Sequence, residues 1–354
     1  MSFAIPPNID SFAGSSVFVT GGTGFVGSHL VEYLLNAGCT DVRCLVRKDQ
    51  KWLKGLPVTF IEGTLDDQVA LEQGLKGVHY VFHVAALTRS TRWDDFYQAN
   101  VEGTRNLLLA AQKNGHVAKS SETTLRVQKT EPTLRRIVLV SSLAAIGISD
   151  LDVATEETAF APVSMYGRSK AEMEQMAAGF DLPLTIVRPP AVYGPRETDI
   201  FTFFKTVSMG LCPVIGSPSK VALSLVHVQD LVVGIAQSAL SPAAQNQTFF
   251  LGGAEQLAWS QIRDATTAAL NRRVLTLPIP ASLIPPVGWV TEFIGKLFGF
   301  YPPLNREKVF EIVHATIMCS SSKAARTFGY APSIALYDGV RETIQWYRDH
   351  DWLK

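Results

Sequence analysis

Residues 16–27 read Ser16-Val17-Phe18-Val19-Thr20-Gly21-Gly22-Thr23-Gly24-Phe25-Val26-Gly27, and their order decides the fold. Val17 to Val19 form a short apolar run that reads as a buried strand. The run breaks into glycines. Phe25, Val26, Leu30, Val31, Leu34 and Leu35 then recur as one face of a helix. Strand, glycine turn and helix in that order are the context a dinucleotide fingerprint requires. Glycines let backbone approach a pyrophosphate closely, and the helix start supplies unpaired N–H groups and a positive dipole end. Thr20, Gly21, Gly24, Phe25, Val26 and Gly27 are the residues expected around that ligand. The competing reading is an ordinary glycine-rich turn.

Working outward, strand-like runs at 16–20, 41–46, 57–61, 78–83, 135–141 and 184–188 alternate with helical segments near 25–37, 67–75, 100–113 and 166–179. That alternation predicts an α/β fold, a doubly wound parallel sheet of the Rossmann kind. Right-handed crossovers put the strand C-termini, and the ligand crevice, on one edge. Residues 1–190 are expected to form this dinucleotide-binding domain. After residue 190 prolines and glycines become frequent, and a smaller, mostly C-terminal substrate-binding domain is expected from 191–223 and 252–354, with 224–251 returning to the first. Residues 115–134 read as a polar, exposed insert without assigned function.

The second strand, Val42-Arg43-Cys44-Leu45-Val46, is followed by Arg47 and Lys48. A carboxylate there accepts a bond from a ribose 2′-hydroxyl and selects NAD. Two cations suit a 2′-phosphate, so NADP is favoured, with NAD as the alternative.

The chain of 354 residues is 47% hydrophobic, enough for a large core. Lys plus Arg and Asp plus Glu balance at 32 each, so no nucleic-acid footprint is expected. Cys39, Cys44, Cys212 and Cys319 are scattered without a metal-ligand pattern, which points to no metal site, no disulfide framework and a cytoplasmic location. Residues 1–14 do not read as a secretory signal, and no apolar run is long enough to predict a membrane span. Within 280–304, Trp289, Val290, Phe293, Ile294, Leu297 and Phe298 form a helical stripe. It reads as a helix over a substrate pocket, or as a surface helix touching a membrane or apolar partner.

Tyr166 and Lys170 stand four residues apart, on one face of a predicted helix. An ammonium near a phenol favours the phenolate, so the tyrosine can exchange a proton with a substrate oxygen near neutral pH. The strand Val138-Leu139-Val140 ends in Ser141 and Ser142 on the crevice edge. Ser142 is the better candidate to hold a substrate oxygen; Ser141 reads as a strand-end cap or a cofactor contact.

Together these segments resemble the extended short-chain dehydrogenase/reductase family, also called the NAD-dependent epimerase/dehydratase family. The match runs through Thr20, Gly21, Gly24 and Gly27, then His83-Val84-Ala85-Ala86 and Asn100-Val101-Glu102-Gly103. It continues through Ser141-Ser142, Tyr166 with Lys170, Arg188-Pro189-Pro190-Ala191-Val192-Tyr193, Val226-His227-Val228-Gln229-Asp230 and Phe328-Gly329-Tyr330. The resemblance implies that Tyr166 is general acid or base, that Lys170 lowers its pKa and holds the nicotinamide ribose, and that Ser142 positions the substrate oxygen. Asn100 would brace the active-site backbone or the Lys170 surroundings, or simply cap a helix. Val84, Ala85, Ala86, Ser141, Pro189 and Val192 would line the cofactor. A homodimer through the helices at 100–113 and 166–179 is implied too.

Two departures matter. Gly63-Thr64-Leu65 stands where the family has Gly-Asp-Leu, so Thr64 and the Leu65 main chain are the expected adenine contacts. Ala191 stands where sugar-nucleotide members carry an Asn, and the Pro189-Pro190 version looks like dihydroflavonol reductases and 3-beta-hydroxysteroid dehydrogenases. The expectation is a small-molecule reductase or dehydrogenase for a mainly apolar ketone or alcohol. The alternatives are a nucleotide-sugar epimerase or dehydratase, with Arg196, Lys205 and Arg306 gripping a diphosphate, and a non-catalytic dinucleotide-binding module.

Overall fold

The computed structural model describes residues 12–114, 134–147, 153–215, 221–279 and 318–353. The insert expected at 115–134 lies outside them except for Leu134. The stripe expected at 289–298 and Arg306 lie outside them entirely.

Seven parallel strands form the central sheet. In chain order they are β1 (Ser16–Thr20), β2 (Asp41–Val46), β3 (Thr59–Glu62), β4 (Tyr80–His83), β5 (Arg136–Val140), β6 (Leu184–Arg188) and, after three strands that lie outside this sheet, β10 (Gln247–Phe250). Across the sheet the order is β10-β6-β5-β4-β1-β2-β3, so the order reverses between β1 and β4. A doubly wound sheet holds its ligand at that reversal, outside the strand C-termini.

Alternation along each strand explains the layers. Val17 and Val19 of β1, Tyr80 and Phe82 of β4, and Val138 and Val140 of β5 face one core. There they meet Leu30, Val31 and Leu34 of α1 (Phe25–Asn36) and Leu231, Val232 and Ile235 of α7 (Val228–Leu240). Phe18, Val81, Ile137 and Leu139 face the other core. Its helices are α2 (Gln68–Leu75), α4 (Gly103–Asn114) and α5 (Met165–Ala177), which contribute Leu71, Leu75, Leu107, Leu108 and Ala177. Strands buried on both faces need such near-continuous apolar runs. Side chains start two of these helices: Asp67 accepts from the Ala70 N–H at 3.0 Å and Ser164 from the Gly167 N–H at 3.1 Å.

A third core gathers Phe204 and Val207 of α6 (Phe201–Ser208), Ile262, Ala265 and Leu270 of α8 (Trp259–Leu270), and Ile344 and Tyr347 of the helix Leu336–Asp349. Two small sheets border it. β9 (Val221–His227) lies between β7 (Ala191–Tyr193) and β11 (Gln256–Ala258), so residues 221–227 join this sheet and not the large one. β8 (Leu211–Ile215) pairs in parallel with β12 (Leu275–Ile279). No described helix is long and apolar enough to cross a membrane.

Candidate active site

The crevice begins at the glycine turn. Gly21 has φ +73°, where a side chain is strained, and a Cβ there would sit 2.5 Å from the Ala85 nitrogen. A Cβ on Gly27 would collide with the Gly21 carbonyl. Gly21 and Gly27 are therefore bare backbone beside the β4 loop and within the first turn of α1, which also carries Phe25 and Val26. No side chain caps α1 at Gly24, and its first turn carries no acid. A helix start left so is open to an anion.

At the ends of β1, β2 and β3 lies a concavity of about 590 Å³ lined by Thr23, Arg47, Lys48, Lys51, Glu62 and Thr64, among others. Arg47 and Lys48 are exposed there. Thr64 is exposed as well, and its hydroxyl accepts from the Asp66 N–H at 3.3 Å. Leu65 is less free than expected: its carbonyl accepts from Asn106 Nδ2 at 3.1 Å, and its side chain lies over Gly103.

The crevice floor is polar but fully paired. His83 ends β4 with no exposure. The Thr104 hydroxyl donates to the Asn100 carbonyl at 2.7 Å, so it accepts the Nε2 proton of His83 at 2.8 Å. Nδ1 is then left to accept from the Thr20 hydroxyl at 2.6 Å. Burial, with the Lys170 ammonium nearby, pushes the His83 pKa down to about 3, which keeps this ring neutral.

Asn100 sits in a π-helical turn, Tyr97–Glu102, that follows the short helix α3 (Trp93–Phe96) and leads into α4. It caps no helix. Its amide accepts from the Leu87 N–H at 2.7 Å and donates to the Leu87 carbonyl at 2.9 Å and to Ser169 Oγ at 2.8 Å. Ser169 in turn donates to the Tyr166 carbonyl at 2.7 Å. One side chain thus ties the loop after β4 to the first turn of α5.

Tyr166 and Lys170 share one face of α5. Tyr166 is half-buried, with its ring 6.4 Å from Phe96. Lys170 is buried; its Nζ donates to the Val140 carbonyl at 2.7 Å. Burial pulls its pKa down to about 8, against the opposing Glu174 carboxylate. Ser142 follows β5 and opens a short turn, Leu143–Ala145, accepting from the Ala144 N–H at 3.1 Å. Gly167 lets α5 lie directly on that turn, since a Cβ there would collide with the Ala144 carbonyl. Ser142 and the first turn of α5 are therefore brought together at the crevice.

Ser141 points elsewhere. Its hydroxyl donates to Glu174 at 2.5 Å, and Glu174 accepts two bonds from Arg188 Nε and one from Nη2. Strand alternation turns the Ser141 hydroxyl inward, and the buried carboxylate holds it. Pro189 is buried, its carbonyl accepting from the Leu143 N–H at 2.9 Å, while Val192 is half-buried in β7. Val84 and Ala85 are half-buried and Ala86 is exposed, all on the loop that meets Gly21.

Arg196 is not available for a diphosphate. It donates to Ser28 Oγ at 3.0 Å and Glu32 Oε1 at 2.6 Å, and its guanidinium lies 5.1 Å from the Trp52 ring. Lys205 is exposed on α6. Next to Arg196, the buried Glu197 accepts from the Asp199 and Ile200 N–H groups, yet burial still raises its pKa to about 7. Arg89, after β4, pairs with Asp199, before α6.

Sequence reasoning missed the Thr20–His83–Thr104 chain and the Ser141–Glu174–Arg188 cluster. The signal was present: a His inside an apolar strand, and a Glu on the apolar side of a helix, both need partners. No described group of three or more His, Cys, Asp or Glu is placed to hold a metal ion.

A model described as the NAD dependent epimerase/dehydratase family matches residues 17–252. The chain is 28% identical over 342 residues to a ceramide reductase of Caulobacter vibrioides (strain NA1000 / CB15N), covering 95% of this chain and 96% of that one. It is 27% identical over 346 residues to a UDP-glucose 4-epimerase of Vibrio cholerae, covering 93% and 94%. Among solved structures it superposes on the protein gox2253 with TM-score 0.76 at 28% identity, over 96% of this chain and 100% of the other.

Proposed function

Because this chain belongs to the NAD dependent epimerase/dehydratase family and is an enzyme of the extended short-chain dehydrogenase/reductase type, we propose that it interconverts a carbonyl and a secondary alcohol on a mainly apolar small molecule. The observation that carries the reading is Tyr166 and Lys170 on one face of α5, with the first turn of α5 set against the Ser142 turn.

The residues present fit a nicotinamide dinucleotide. Bare backbone at Gly21 and Gly27, and an uncapped α1, leave room for a pyrophosphate. Such a cofactor supplies the hydride-carrying carbon. Arg47, Lys48 and Lys51 line the concavity next to the glycine turn together with Asp49, Glu62 and Asp67, and the two cations directly after β2 are the ground for reading NADP over NAD. Thr64 and the Leu65 N–H are the adenine-side contacts; Val84, Ala85, Pro189 and Val192 shape the walls.

In this reading Ser142 donates to the substrate oxygen and Tyr166 gives or takes its proton. Lys170 places an ammonium under the tyrosine turn, and burial draws its pKa down from 10.5 to about 8. Asn100 positions Tyr166 through Ser169 and the Leu87 backbone.

The apolar-substrate reading draws support from Ala191, which is exposed in β7 and offers no polar contact, and from the engaged Arg196. A ceramide reductase among the relatives agrees with it. The second reading, a nucleotide-sugar epimerase, rests on the similarity to a UDP-glucose 4-epimerase. Absorbance at 340 nm separates them. Stoichiometric NADPH consumption with a long-chain or polycyclic ketone is the expected result. Turnover of a nucleotide sugar without net absorbance change, and none with any apolar ketone, would overturn the proposal. A homodimer through α4 and α5 remains part of the reading, although Leu109 is the one large apolar side chain exposed among the described residues of those two helices.

A further inference from the structure

Seven large apolar side chains stand exposed among the described residues, and four of them share one place: Met209, Leu211, Leu275 and Leu277, at 64%, 41%, 62% and 40% exposure. They are contiguous. Leu211 of β8 pairs with Leu275 of β12, the Leu275 N–H donates to the Gly210 carbonyl at 2.9 Å, and Leu277 follows two residues along the same face. The other side of this ribbon is core, where Cys212, Ile262 and Leu270 are buried.

Cations stand close to these residues along the chain. Lys205, Arg272 and Arg273 are exposed, and Arg272 is fixed at the patch edge by its bond to the Ser208 carbonyl. Arg263 reaches Thr276 Oγ1 at 3.3 Å and pairs with Asp264, so that acid is already matched.

We propose that the β8–β12 face docks on an anionic lipid bilayer. Met209, Leu211, Leu275 and Leu277 enter the boundary between headgroups and acyl chains, while Lys205, Arg272 and Arg273 meet lipid phosphates. A cluster of apolar side chains with cations close by matches both layers of such a surface, whereas scattered exposed leucines need no explanation. Such docking is independent of which substrate the crevice takes.

Flotation of the full chain with phosphatidylcholine vesicles, with and without about 30 mol% phosphatidylglycerol, tests it. Binding to the anionic vesicles, weakened by salt, is expected. The Leu275→Asp/Leu277→Asp variant should bind at least ~10-fold less, and Arg272→Glu/Arg273→Glu at least ~10-fold less, with NADPH binding unchanged. Should the leucine variant fail to fold, the arginine variant decides alone, because its side chains are exposed. Absence of wild-type binding, or wild-type binding by the arginine variant, overturns the proposal. So does a change of oligomeric state in the leucine variant with flotation unchanged, which would make the face a contact between copies.

Discussion

A single buried ammonium sets the tone of the site. Lys170 has its pKa drawn from 10.5 to about 8 by burial, and its Nζ donates to the Val140 carbonyl. At about 1.4 kcal/mol per unit, carrying that charge near neutrality costs the fold roughly 3 kcal/mol. Lys170→Met removes this cost and leaves the Val140 carbonyl unpaired, a loss of about 1–3 kcal/mol. The variant is therefore expected to melt at or above the wild-type temperature while kcat/KM falls by at least ~100-fold. A melting temperature several degrees lower would mean that Lys170 is kept for stability. Local spacing made this pair legible, since positions four apart on a helix share a face. What spacing could not show is where Nζ goes. It went to a strand carbonyl because the ammonium, buried behind β5, must find an acceptor.

Elements came out of the sequence unevenly, and the reasons are physical. β1, β2 and β6 lie at 16–20, 41–46 and 184–188, as their apolar runs predict, and α1 starts where the glycines end. The helix expected at 100–113 is two things, a π-helical turn over Tyr97–Glu102 and α4 from Gly103. Periodicity cannot register one extra residue in a turn, yet that turn is what carries Asn100 to Leu87. Ser142 was the preferred substrate contact at the end of β5, and alternation gives the two serines different surroundings: Ser141 reaches Glu174 inside, while Ser142 opens the crevice turn. The β8–β12 ribbon was not foreseen, because Pro213 and Pro278 lie within strands that carry no clean alternation.

The end of β2 bears on cofactor choice. Arg47→Ala/Lys48→Ala is expected to lower the ratio of kcat/KM for NADPH over NADH by at least ~10-fold, since each lost cation weakens contact with a dianionic phosphate. An unchanged ratio would assign both residues to solvent.

Across the whole molecule, buried titratable groups make stability depend on pH. His29, His83 and His227 have pKa values pushed down to about 4, 3 and 3, in each case chiefly by burial. The folded chain keeps them neutral, while the unfolded chain protonates them near 6.5. Their stability is therefore complete above that pH and is lost as pH falls toward 4 and then 3. At pH 5 each loses about 2 kcal/mol. Glu197 works in the opposite sense: raised to about 7, it favours the fold as pH falls below that value. Glu342, also raised by burial, acts with Glu197, and His79, also lowered, acts with the buried histidines; the three buried histidines dominate, so denaturant unfolding should give a free energy roughly 3 kcal/mol smaller at pH 5 than at pH 7.5. Equal or greater stability at pH 5 would contradict the neutral-histidine account.

The doubly wound parallel sheet followed from βα alternation, whereas long-range ties between its elements did not. Arg196 crosses from the loop after β7 to Ser28 and Glu32 on α1, and Arg89 reaches Asp199. Contacts between residues so far apart in the chain leave no local pattern.

The central claim is that Tyr166 exchanges the proton of the substrate oxygen. Its most direct test is Tyr166→Phe, assayed by NADPH consumption at 340 nm with an apolar ketone and by cofactor binding in parallel. The account predicts that kcat falls by about 10²–10⁴-fold while NADPH affinity stays within a few-fold of wild type. Turnover that survives the loss of the phenol hydroxyl would contradict it.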